Sequence, residues 1–272
     1  MTALYYDAHL HTRLCRHAEG EPDDYAAEAA RRGVPGITVT DHAPVPGGFE
    51  SAIRMTPEEL PLYRAWIAHA QETWRGRVDV RAGLECDYRP GFERWQQRLN
   101  RSGDWDFILG SVHCNMRSYR RLYYRFDPEA YTRLYYDHLA RAAETGLFDA
   151  LSHPDVPKFM WPERWNPDRI RDTIGRALDR IAATDVALEL NTSGTLKPYP
   201  EMNPSPFILR MMRERSIRVF LGSDAHEPAR VGSGFPGALE LLREAGYVKI
   251  SFFVERNRID RPIDEVARVL RK

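Results

Sequence analysis

The chain has 272 residues, 43% hydrophobic and 29% charged, ordinary proportions for a soluble globular protein that exclude collagen-like repeats, low complexity and extensive disorder. Its 39 Lys and Arg balance 39 Asp and Glu, so the zero formal net charge excludes an overall basic field for holding a polynucleotide and favours a small substrate. Three cysteines, Cys15, Cys86 and Cys114, without CxxC spacing argue against a disulfide framework and against a cysteine zinc finger.

The first residues, Met1 to His9, lack the basic and apolar regions of a signal peptide, and no stretch approaches the ~20 apolar residues of a membrane-spanning helix. A reducing cytoplasm fits best, and the thiols read as small buried groups. No Pro/Gly/Ser-rich linker divides the chain, so one domain over residues 1–272 is expected, enough for an α/β barrel of ~250 residues.

In chain order, a short apolar strand, a polar loop and an amphipathic helix recur about seven times. Leu4 to Leu10 reads as the first strand, and Pro22 to Arg32 as a helix with proline near its start and Gly33 past its end. Gly36 to Thr40 follows as a strand. Thr56 to Trp74 reads as a long helix opened by a threonine cap, with Pro57 and acids in its first turn. Val78 to Glu85 and Asp106 to Val112 continue the strands, then a helix at Glu129 to Glu144, a strand at Ala150 to Ser152 and a helix at Pro167 to Ala183. Val186 to Leu190, a helix at Pro206 to Arg215 and Ile217 to Gly222 come next, and the apolar run Val248 to Val254 is expected to close the sheet.

In parallel barrels the loops after the strand C-termini gather on one face, which carries the active site. Reactive residue types fall there. The first strand ends Asp7-Ala8-His9-Leu10-His11, and residues two apart on a strand project to one side, making His9 and His11 a natural chelate. His17 follows; the later strands end in Asp41-His42, Glu85-Cys86-Asp87, His113, His153 and Asp224-Ala225-His226. Of the 9 histidines only His69 and His138 fall inside expected helices. One histidine alone reads as a surface or hydrogen-bonded residue, whereas periodic placement of the rest points to convergent ligands.

Imidazole and carboxylate donors without cysteine suit zinc, iron or manganese better than calcium. If several ions share the set, a carboxylate bridges through two oxygens where a neutral imidazole gives one lone pair, so Glu85 is the expected bridge. Asp87 either supports the ligands or is a solvated acid. Asp7 and Asp41 lie beside ligand histidines and are expected to hold their other ring nitrogens, or to be plain loop acids.

The ordered motifs His9-x-His11, His17-Ala18-Glu19-Gly20, Thr40-Asp41-His42, Gly83-Leu84-Glu85, Gly110-Ser111-Val112-His113, His153-Pro154-Asp155, Asn191-Thr192-Ser193-Gly194 and Gly222-Ser223-Asp224-Ala225-His226 span nearly the whole chain. They resemble the PHP (polymerase and histidinol phosphatase) superfamily, and within it the bacterial histidinol-phosphate phosphatases. The resemblance implies a distorted TIM-like (β/α)7 barrel with a trinuclear metal site at its C-terminal face. It assigns His9, His11, Glu85 and Asp224 to a first ion, Glu85, His113 and His153 to a second, and His17, His42 and His226 to a third. It implies hydrolysis of L-histidinol phosphate to L-histidinol and phosphate, in histidine biosynthesis, by in-line attack of a metal-bridging hydroxide, with Glu85, Asp224 and His226 as catalytic residues.

Among cations in the strand-end loops, Arg54, Lys158 and Lys197 are candidates to meet phosphoryl oxygens, against a reading as solvated charges. Glu19 and Asp155, with Trp161 as an aromatic wall, are placed to meet an amine and imidazole. Two alternatives stay open: a phosphoesterase for nucleotides or other small phosphomonoesters, and a metal-binding regulatory module without catalysis. Gly232 to Gly237 formally matches GxGxxG but follows a loop, so a dinucleotide site is rejected. The arginine-interleaved run Tyr119 to Tyr124 reads as a solvated or oligomer-facing loop rather than a nucleic-acid patch. Oligomeric state is not legible.

Overall fold

A computed structural model describes residues 2–48 and 50–270. Eight strands follow one another in sequence order: β1 (Gly36–Val39), β2 (Asp79–Asp87), β3 (Phe107–Ser111), β4 (Ala150–Leu151), β5 (Ala187–Asn191), β6 (Val219–Gly222), β7 (Lys249–Val254) and β8 (Asn257–Pro262). Neighbours from β1 to β7 are parallel, and β8 turns back antiparallel on β7.

The segment expected as the first strand is extended but joins its neighbours at single bridges, Asp7 with Ile37 and Leu10 with Ala225. Its backbone groups are divided between two sides. Thr38 N–H donates to Asp7 O at 2.8 Å and Thr40 N–H to Leu10 O at 2.9 Å on the β1 side. His11 N–H donates to Ala225 O at 2.9 Å and Ala225 N–H to His9 O at 3.2 Å on the β6 side. This segment therefore closes β1 to β6, giving the distorted seven-stave barrel. The run Val248 to Val254 does not close it: β7 meets β6 at one register position, Phe220 with Ser251. Its Phe252 and Phe253 instead pack with Tyr6, Phe107 and Phe220 in the barrel interior.

Alternation along the strands builds two layers of core. Phe107, Leu109, Ala150, Ala187 and Phe220 fill the inside, whereas Ile108, Leu151, Leu188, Leu190, Val219 and Leu221 face the surrounding helices. One step further up the same inward rows come Ser111, Ser152, Glu189 and Gly222, so the interior changes from aromatic to polar toward the C-terminal face.

The helices Pro22–Arg32, Leu60–Thr73, Pro128–Glu144, Arg171–Ala182 and Pro206–Glu214 occupy the expected places. Tight turns at Pro57–Glu59 and Pro167–Ile170 take the starts of two of them, where proline suits a first turn. Asp127 and Ser205 cap their helices by accepting backbone N–H bonds. The run expected as a loop at Tyr119 to Tyr124 instead lies largely in the helix Arg117–Tyr123, with Tyr119 buried against His138. The glycine-rich run opens a helix, Phe235–Glu244, with Pro236 in its first turn.

Candidate metal centre

His9 and His11 leave the closing segment, His42 follows β1, Glu85 lies near the end of β2, and His113, His153 and the Asp224/His226 pair follow β3, β4 and β6. His17 arrives from the turn after Arg13–Cys15. His17, His42, Glu85, His113, His153, Asp224 and His226 all line one cavity of about 600 Å³, with His9 and His11 buried beneath it.

Glu85 is the hub. Its Oε1 lies 3.4 Å from His9 Nε2, 3.4 Å from His113 Nε2 and 3.3 Å from His153 Nε2, and its Oε2 lies 2.8 Å from His42 Nδ1 and 3.7 Å from His11 Nε2. Asp224 Oδ1 stands 3.3 Å from His11 Nε2 and 3.7 Å from His9 Nε2, and His17 Nε2 is 3.0 Å from His226 Nε2. Three groups with donor atoms within 4.8 Å of one another emerge: His9/His11/Asp224, Glu85/His113/His153 and His17/His42/His226. Two further groups, His11/His42/Glu85 and His11/Cys15/His226, overlap them, so Cys15 lies closer to this chemistry than its composition-level reading as a plain buried thiol.

These residues fit metal ions on an observation independent of motif. His9 Nε2 and both ring nitrogens of His11 are buried yet have no hydrogen-bond partner among the described residues, and buried His42 Nδ1 and Glu85 Oε2 have only each other, 2.8 Å apart. Buried polar atoms are ordinarily paired, and under-satisfied nitrogen and carboxylate lone pairs converging in this way are what a borderline cation takes.

Burial opposes charge on His9, but the carboxylates of Glu189, Asp224 and Glu85 outweigh it and hold the imidazole well above its ordinary pKa. His113 rises likewise to about 10, burial being overcome by Glu85 and Asp87. Glu85 and Asp224 sit well below the usual carboxylate range, because the surrounding histidines outweigh their burial. His42 and His226 go the other way; burial carries His42 well down and His226 to about 3. Protons and metal cations thus compete for one donor set.

Bracing contacts surround these candidate donors. His113 Nδ1 is 2.6 Å from Asp87 Oδ1, whose Oδ2 accepts from Arg54 Nη2 at 2.6 Å. Asp41 accepts from Thr12 and His42 backbone N–H groups and stands 3.6 Å from His11 Nδ1. Ser111 donates to Glu85 Oε1 and is hydrogen-bonded to Ser152. Ser193 donates to Asp224 Oδ2 at 3.0 Å.

Several expected contacts lie elsewhere. Asp7 does not hold a ring nitrogen; its oxygens accept from Ser223 N–H at 2.9 Å and Gly232 N–H at 2.7 Å, pinning the loop after β6. Arg54 and Lys158 are not cavity cations. Arg54, 1% exposed, is consumed by Asp87 and by Ala43 O at 3.0 Å. Lys158, 0% exposed, is tied to Asp155 at 3.0 Å and Met202 O at 2.6 Å, while Asp155 also accepts from Asn203 and Ser205. Asp155 is therefore a buried structural acid. Trp161 lines a separate cavity and stacks on Tyr124. Glu19 and Lys197 do line the metal-side cavity, joined by Asn115, Glu227 and Arg230, which the sequence reading missed.

Glu189 was also missed. Its signal was a single acid within the apolar strand Ala187–Asn191, and it is fully buried with His9 Nδ1 2.7 Å from Oε1. The two histidines expected to lie outside the site do so: His69 is exposed near Thr73, and His138 Nδ1 meets Tyr119 Oη at 2.6 Å.

Known proteins resemble this chain in sequence and fold. A probable histidinol-phosphatase of Deinococcus radiodurans is 40% identical over 258 residues, covering 93% of this chain and 97% of that protein. A histidinol-phosphatase of Bacillus subtilis is 28% identical over 264 residues, covering 86% of this chain and 98% of the relative. Among solved structures, a histidinol phosphate phosphatase from Lactococcus lactis complexed with zinc, L-histidinol and phosphate superposes with a TM-score of 0.80 at 20% identity, over 95% of this chain and 100% of that one, a likeness of fold. The family model described as the PHP domain matches residues 7–193, and on that match and the Deinococcus relative this chain belongs to the PHP domain family.

Proposed function

We propose that this protein is a metal-dependent phosphomonoesterase that hydrolyses L-histidinol phosphate to L-histidinol and phosphate. The observation that carries this reading is the convergence of nine nitrogen and carboxylate side chains on one cavity whose other walls bear both cations and acids. The histidinol-phosphatase relatives and the zinc, L-histidinol and phosphate complex of the Lactococcus lactis enzyme support the substrate.

His9, His11, Glu85 and Asp224 would hold one ion, Glu85, His113 and His153 a second, and His17, His42 and His226 a third, with zinc, iron or manganese all compatible with the donors. When bound, such ions supply Lewis acidity for phosphoryl oxygens and lower the pKa of water toward neutrality. Glu85 and Asp224, anionic through the working pH range, fix the charge of the centre, and His226, neutral at pH 7, offers a lone pair at the cavity wall. Lys197 and Arg230 would meet the phosphate from the mouth, and Glu19 and Glu227 the substrate's amine and imidazole. Residues 1–272 would act as one domain. The three cysteines, buried and free, suit a reducing cytoplasm, and among the described residues no helix is long and apolar enough to cross a membrane.

The test is kcat/KM on L-histidinol phosphate against 5′-mononucleotides with the same metal-loaded protein. A preference of at least about 100-fold for L-histidinol phosphate is expected. Equal or inverted efficiencies would replace the substrate with a nucleotide or another phosphomonoester.

A further inference from the structure

Glu189 is placed where a single carboxylate touches two of the metal-ligand groups. One oxygen, Oε1, is 2.7 Å from His9 Nδ1; the other, Oε2, accepts the backbone N–H of His153 at 2.8 Å and the Asn191 Nδ2 amide at 3.1 Å. The same Asn191 amide also reaches Asp224 Oδ2 at 3.3 Å. His153 has φ +25° and Asp224 φ +51°, backbone conformations that side-chain-bearing residues adopt at a cost and keep only when their surroundings impose them. For His153 the Glu189 carboxylate supplies part of that constraint.

Space for the carboxylate comes from the next strand. A Cβ at Gly222 would stand 2.0 Å from Glu189 Oε1 and 2.6 Å from His9 Cβ, distances no side chain tolerates. Glycine at this position therefore lets Glu189 and His9 meet between β5 and the closing segment.

We propose that Glu189 is a positioning residue that orients ligands of two ion sites at once, His9 and His153, through a slot opened by Gly222; this rests on the metal-centre reading above. With Nδ1–H donated to Glu189, the His9 ring turns its Nε2 lone pair toward Glu85 and Asp224. Both carboxylate oxygens face N–H donors, so an amide cannot replace it. In Glu189→Gln one end of the side chain becomes a donor facing either His9 Nδ1–H or the His153 N–H. The first forces His9 into the tautomer that protonates its ligand nitrogen; the second releases His153.

The experiment is a zinc titration with elemental analysis of wild type, Glu189→Gln, Glu189→Asp and Gly222→Ala, beside melting of each zinc-free protein. Expected is a zinc-free Glu189→Gln protein that folds with a melting point moderately below wild type, because a buried donor then faces a donor, and zinc affinity lowered about 10- to 100-fold. Hydrolysis of p-nitrophenyl phosphate should lose kcat more than KM. Glu189→Asp, which keeps the charge but withdraws the oxygens, carries the same expectation should the glutamine variant not fold. Gly222→Ala should reproduce the loss, and adding Glu189→Gln to it should cost little more. Wild-type zinc affinity and stoichiometry in the Glu189 variants would overturn the proposal. A wild-type protein that binds no zinc would instead overturn the metal-centre reading.

Discussion

Arg54 and Lys197 are both cations near the cavity, yet their surroundings give them different work. Arg54 is buried and holds Asp87, which in turn holds His113. Removing one partner of a buried pair strands the other charge, so Arg54→Met should destabilise the fold by about 3 kcal/mol and weaken metal retention, read by denaturant melts and elemental analysis. Lys197 lines the open mouth, and Lys197→Ala should raise KM severalfold while leaving stability within about 0.5 kcal/mol. His138, remote from the cavity and 3% exposed, gives a pH signature of its own. Burial lowers it to about 4, so between its ordinary value of 6.5 and pH 4 the unfolded chain binds a proton the folded chain refuses. Stability from neutral His138 is thus complete above pH 6.5 and declines as pH falls toward 4. The wild-type melting advantage over His138→Gln should shrink across that window; an advantage that is flat or grows with acid would contradict this.

At the scale of elements, the helix Pro157–Met160 is tied to the loop before the helix Pro206–Glu214 by the Lys158, Asp155, Asn203 and Ser205 network. Lys158→Met should therefore cost about 3 kcal/mol in a urea melt with KM of the folded enzyme near wild type. A raised KM without a stability loss would return Lys158 to the substrate. The same network explains what sequence could and could not reveal. Strand-end placement made His9, His11, His42, His113, His153, Asp224 and His226 legible, since parallel strands send their ends to one face. It could not separate Lys197 from Lys158, because both follow strand ends and only packing buries one of them. Glu189 was hidden for the opposite reason: it sits within a strand, and only the inward row beside Gly222 shows its carboxylate meeting His9. Val248 to Val254 does not close the barrel as expected, since apolar content marks a strand without naming its neighbour; backbone bonds of the segment from Asp7 to His11 do the closing.

Across the whole molecule, the stacking of an aromatic floor beneath a polar ceiling places charged groups where water is scarce and buried side chains must satisfy one another. Tyr6, Phe107, Phe220, Phe252 and Phe253 fill the lower interior, while buried polar atoms of His9, His11, His42 and Glu85 crowd above. A cation that binds only the folded chain adds stability as RT ln(1 + [L]/Kd), about 2.7 kcal/mol at a hundredfold excess over Kd. Zinc add-back to stripped protein should raise the melting temperature accordingly, and wild-type melting indifferent to zinc would argue against the cluster as a binding site.

The most direct measurement is phosphate release from L-histidinol phosphate by one preparation, first metal-loaded, then chelator-stripped, then resupplied with zinc. Turnover should disappear on stripping and return with zinc. Turnover that survives complete removal of metal, or its absence from fully loaded protein, would contradict metal-dependent hydrolysis of this substrate.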